Sequence, residues 1–115
     1  MSPTQLYKNR DFITNLNKSK KDKSLFRKLI KKSTSGQVKA ICELCFNVLR
    51  GNLHICKSRK NKLTPHADMV RYMARKNTPL YQKKLKLLKG SGGVFLSALL
   101  PIALSAISTL FNPST

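Results

Sequence analysis

Tryptophan is absent from this chain of 115 residues, acidic residues number 4 and cysteines 3. Each scarcity narrows the choice of function. Without Trp, and with Tyr7, Phe12, Phe26, Phe46, Tyr72 and Tyr81 scattered, no stacking platform for single-stranded nucleic acid is apparent. Asp11, Asp22, Glu43 and Asp68 are the only acids, and no pair of them stands at a spacing that builds an acid/base site, so metal-assisted hydrolysis is poorly supplied. His66 has no second His placed to share such a site and is expected on an exposed first turn of a helix. No glycine-rich loop follows a strand, so Gly90–Gly93 is not a nucleotide-binding fingerprint. An odd number of cysteines and an N-terminal stretch without an uninterrupted apolar run give neither a disulfide framework nor a cleavable export signal. The expectation is synthesis under reducing conditions.

Charge is missing altogether from residues 90–115, because all 23 Lys and Arg lie before Gly90. The formal net charge of +19 is therefore packed into the first 89 residues, where self-repulsion calls for a polyanionic partner. The cations fall in clusters at Lys18, Lys20, Lys21 and Lys23; at Arg27, Lys28, Lys31 and Lys32; at Lys57, Arg59, Lys60 and Lys62; and at Lys83, Lys84, Lys86 and Lys89. An ordinary solvated face mixes signs. These clusters do not, which favours sequence-independent contact with nucleic-acid phosphates.

Apolar residues in the basic part recur at helical spacing, and strict alternation is scarce. An all-α fold is expected, a small basic domain of four to five short helices followed by a glycine-rich hinge and an apolar C-terminal helix. Leu6, Phe12, Ile13 and Leu16 share a face over residues 4–16, and a polar break follows at 15–21. Asp22 or Ser24 caps a second helix carrying Leu25, Phe26, Leu29 and Ile30. Residues 33–36 interrupt the chain, and Val38, Ile41, Cys42, Cys45, Val48 and Leu49 then form the cleanest stripe, ended by Gly51. Residues 52–62 read as a loop anchored by Leu53 and Ile55. Thr64–Pro65 and Thr78–Pro79 read as two helix starts of an antiparallel pair, the first carrying Met69, Val70 and Met73, the second Leu80, Leu87 and Leu88 and ending at Gly90.

Cys42, Cys45, His54 and Cys56 supply four zinc-type ligands, but the first two lie on an apolar helical stripe, where free cysteine packs as a small hydrophobe. No metal or cofactor is expected. The run Val94–Phe111 is uncharged over 18 residues, the lower edge of a membrane span, with Pro101 near its middle and four hydroxyl residues diluting it. The expected organisation is a basic region 1–89, with 1–21 allowed to be flexible, a hinge 90–93 and an apolar tail 94–115.

Leu88-Lys89-Gly90-Ser91-Gly92-Gly93-Val94-Phe95-Leu96, followed by Leu99-Leu100-Pro101-Ile102, resembles the end of the precursor of the adenovirus core peptide mu (pX). Cys45–Asn52, leading to a basic stretch and this tail, is similar to the pX-like proteins of Polinton and adintovirus elements. The resemblance is one of pattern, covers roughly residues 38–111, and departs in being lysine-rich where mu is arginine-rich. It implies a non-enzymatic virion core or minor capsid protein that condenses double-stranded DNA, in the virion and, during assembly, the host nucleus. It also implies capsid protein as a partner and cutting between Ser91 and Gly92 by the adenovirus-type maturation protease, whose preferred pattern Leu88-Lys89-Gly90-Ser91-Gly92 fits. The phosphate contacts are expected from Lys28, Lys31, Lys32, Arg59, Lys60, Arg71, Arg75, Lys76, Lys83, Lys84, Lys86 and Lys89. The rival reading is a membrane-active protein recruited to anionic lipid, with residues 94–111 inserting. A cellular tail-anchored or ribosome-associated protein is the third.

Overall fold

The computed structural model describes residues 4–90 and 92–111. Eight α-helices fill them, with no strand among the described residues: α1 (Thr4–Lys8), α2 (Arg10–Ser19), α3 (Lys23–Lys31), α4 (Ser35–Leu49), α5 (Lys57–Leu63), α6 (Ala67–Ala74), α7 (Leu80–Leu88) and α8 (Gly92–Phe111), with a 3-10 turn at Thr64–His66. The all-α expectation is correct. The number of helices is larger than expected, because the first divides at Asn9 and α5 occupies part of the expected loop.

Local chemistry accounts for most boundaries. At the α1–α2 bend, Asn9 Nδ2 donates to the carbonyl of Gln5 at 2.8 Å and to that of Gly36 at 3.3 Å, tying the bend to the start of α4. Leu6, Phe12, Ile13 and Leu16 are all buried as their spacing requires, so the described part of 1–21 belongs to the core. Asp22 caps α3 by accepting from the amide of Leu25 at 3.2 Å. Thr34 and Gln37 form a capping box, the Gln37 amide donating to Thr34 Oγ1 at 3.2 Å and the Thr34 amide to Gln37 Oε1 at 2.9 Å. The helix thus begins at Ser35, two residues before the expected Gln37. It stops at Gly51, whose φ of +70° few other residues adopt.

Thr64 does not open a helix. Its hydroxyl donates back to the carbonyl of Lys60 at 2.8 Å, closing α5, and α6 begins only at Ala67 after the 3-10 turn. Nor do α6 and α7 form the expected antiparallel hairpin: α6 packs chiefly on α4, while α7 packs on α3, α4 and α8.

The uncharged segment is the centre of the molecule. Phe95, Leu96, Leu99, Leu100, Ile102, Ala103 and Ala106 of α8 are buried, and α8 touches α1, α2, α3, α5 and α7. Burial of each large side chain stabilises the fold by roughly 1.5–3 kcal/mol. Pro101 sits inside the continuous helix. On either side of Ser91, α7 and α8 are bent by 107° to each other, Gly90 takes φ +53° and Gly92 lies against the backbone of Leu87. A Cβ built on Gly92 would stand 2.0 Å from the Leu87 carbonyl oxygen, so no side chain fits there.

Candidate nucleic-acid interface

Whether a basic surface attracts phosphate depends on how much of its charge is neutralised within the fold. Here three of the four acids are engaged within the fold. Asp22 caps α3, and Glu43 Oε2 accepts from the backbone amide of Gln5 in the first turn of α1 at 3.2 Å. Asp68 forms the one salt bridge among the described residues, with Arg71 at 3.1 Å, and both side chains are exposed. The remaining cations are left with dipoles and rings for partners.

Two groups of cations follow from the packing. Arg27 of α3 donates to the carbonyl of Leu88, and Lys84 of α7 donates to that of Ser33 at 2.9 Å. These bonds hold α3 and α7 side by side, and Lys28, Lys31, Lys32 and Lys89 are exposed on or at the ends of this pair. The second group surrounds two rings: Arg75 and Lys86 lie 5.3 and 5.5 Å from the centroid of Tyr72, and Arg50 and Lys76 lie 5.6 and 5.4 Å from that of Phe46. Arg59 and Lys60 are exposed on α5, and Arg71 on α6.

Lys83 is the correction to the expected set. It is 4% exposed and its ammonium donates to the carbonyl of Arg75, so it closes the end of α6 from within and is not placed to meet a phosphate. Lys84 is half-buried and already bonded. The spacing of Lys83 from Leu87, four residues, could have revealed this, since both fall on the inward face of α7.

Cys45 is buried, Cys42 half-buried and Cys56 exposed, all as free thiols, and among the described residues no three His, Cys, Asp or Glu side chains come together as metal ligands would. Burial pushes the Cys42 thiol up, with the charge of nearby Lys83 opposing it, and burial pushes Cys45 up further. Cys56 differs: the backbone amide of Arg59, and then the Ser58 hydroxyl at 3.6 Å, draw its thiol below the ordinary range. His66 is half-buried, its ring 6.0 Å from that of Phe95, and not on an exposed turn as expected.

Of the expected protease site, Ser91 lies outside the described residues, and Gly92 is buried at the start of α8. No single helix among the described residues is long and apolar enough to cross a membrane; the bent pair α7 and α8 would suffice together by length and composition. Fold and surface define the class: a small all-α domain with a charge-free central helix inside a shell of largely unpaired cations. Comparison with protein-family models, with curated proteins and with solved structures returned no match.

Proposed function

We propose that this chain is a non-enzymatic DNA-binding protein that neutralises and condenses double-stranded DNA by sequence-independent phosphate contacts, as a core or minor capsid component of a virus or virus-like element. The observation that carries the reading is the imbalance of 23 cations against 4 acids, with a single ion pair among the described residues. The viral setting rests on the resemblance of residues 38–111 to the pX-like precursors. Capsid protein and an adenovirus-type protease are its proposed partners, and the virion and the host nucleus its proposed locations.

Membrane insertion of residues 94–111 is the weaker reading. It would draw Phe95, Leu96, Leu99 and Leu100 out of the core and leave α1, α2 and α7 without the surface they pack on. Docking of the apolar segment to capsid would have to use its outward face for the same reason.

Fluorescence anisotropy with two duplexes of unrelated sequence, over a salt series, tests the proposal. Contact by about half the cations gives equal affinities and a log–log salt slope on the order of −10. Binding that ignores salt would overturn it.

A further inference from the structure

One face of α8 is left uncovered. Val94, Ser97, Pro101, Ser105 and Ser108, spaced by three and four, lie on one side of the helix, and each reaches the surface to some degree. Two clefts open along this face. Lys20, Lys23 and Arg27 rim the first, over Val94 and Ser97. Lys20 and Arg59 rim the second, over Ser105 and Ser108. Lys20 lines both, so the clefts adjoin, and cations from α3, α5 and the residue after α2 converge on one trough.

Its chemistry is one-sided. Neither cleft has an acidic lining residue among those described, and none of these four cations is in an ion pair there. Arg27 is held at the mouth by its bond to the Leu88 carbonyl, which uses one of five guanidinium donors. At the other end Asn17 lines the second cleft with its Oδ1 buried and without a hydrogen-bond partner. A water donating to that oxygen and to a phosphate oxygen would satisfy both. The floor carries no charge, and along the exposed face of α8 the short side chains of Ser97, Ser105 and Ser108 let a backbone approach closely.

We infer that this trough is the seat of one DNA strand, its phosphates running from Lys23 and Arg27 past Lys20 to Arg59, with the hydroxyls of Ser105 and Ser108 as further donors. From Val94 to Ser108 the helix rises about 21 Å. Where the duplex axis runs along α8, that length spans about six phosphates of one strand, at about 3.4 Å of axis each. The inference rests on the DNA reading above and adds to it a preferred surface, of which Arg59 alone belongs to the set expected from sequence.

The test combines backbone amide NMR of the full chain titrated with a short duplex and salt-dependence of binding by two double variants. The largest shifts are expected at Lys20, Arg59, Ser97 and Ser105. Lys20→Gln/Arg59→Gln is expected to reduce the magnitude of the salt slope by on the order of 1.8, at about 0.9 per lost contact, while Lys8→Gln/Lys39→Gln, on α1 and α4, changes it little. Shifts confined to α4 and α6, with both double variants behaving alike, would overturn the trough and leave DNA binding standing. No binding by the parent chain at low salt would overturn both. Loss of binding to phosphatidylserine vesicles in the trough variant, with duplex binding unchanged, would assign the trough to lipid and also overturn the inference.

Discussion

The ammonium of Lys83 donates to the main-chain carbonyl of Arg75, joining the middle of α7 to the end of α6 from a position 4% exposed. A side chain of the most soluble type thus performs a structural task, its aliphatic stem packed inside and its charge directed at a helix's C-terminal carbonyls, where a cation is favoured. Lys83→Ala should lower stability by about 2 kcal/mol, through lost packing and an unmade hydrogen bond. Lys89→Ala, at an exposed residue, should stay within about 0.5 kcal/mol. The salt slope for DNA should respond in the opposite order, falling for Lys89→Ala and holding for Lys83→Ala. Urea denaturation and anisotropy together check this, and a stable Lys83→Ala with a reduced slope would return Lys83 to the surface set.

The central position of α8 changes what removal of the apolar segment does. Phe95 is fully buried, and Phe95→Ala is expected to cost about 3–5 kcal/mol, a large fraction of the stability of a domain this size. A chain ending at residue 91 loses the helix on which α1, α2, α3, α5 and α7 all pack. It should retain charge-driven DNA binding without the preferred α8 trough, and lose the sharp thermal transition and the amide dispersion of the full chain. A well-folded truncated chain would mean that the body has a core of its own.

Sequence alone revealed the helical class and most of the inward faces, because Leu6, Phe12, Ile13, Leu16, Phe26, Ile30, Ile41 and Cys45 follow a clear period. It failed where a single side chain decides. α5 buries only Leu63, so periodicity has nothing to register in Lys57–Leu63. Thr64 has a hydroxyl equally able to cap forward or bond back, and the carbonyl of Lys60 takes it. The role of α8 was hidden for a different reason: an uncharged apolar run is equally suited to lipid, a partner or its own fold, and only tertiary packing selects among them. The trough beside it was illegible on the same ground, since Arg59 is distant in sequence from Lys20 and Arg27 and joins them only through the fold.

Gly92 and Gly93 are adjacent yet should respond oppositely to the same substitution. A Cβ on Gly92 meets the Leu87 carbonyl oxygen at 2.0 Å, backbone that cannot swing aside, so Gly92→Ala must displace α7 from α8. Gly93 is exposed within α8 with nothing within 4 Å of the added carbon, and Gly93→Ala should stabilise by about 0.5–1 kcal/mol by raising helix propensity. Thermal melts should therefore move down for the first and up for the second. Equal and small shifts would show that the α7–α8 contact is loose.

The three thiols should separate by reactivity and by pH. The thiolate is the nucleophile, so Cys56, exposed and held below the ordinary thiol range by the Arg59 amide, should be alkylated by iodoacetamide at neutral pH well before Cys42 or Cys45. Its rate should fall as pH drops through its lowered pKa, because protonation removes the reactive form. The buried thiols act on stability instead. Their folded pKa values are raised, so the unfolded chain ionises first as pH climbs through the ordinary thiol range, and the folded state loses stability there while keeping it fully at lower pH. Replacing Cys45 by Ala should flatten this alkaline decline while costing packing at all pH values. Urea midpoints measured on both sides of the thiol range check the sign, and a decline identical in the Ala variant would move the cause away from Cys45.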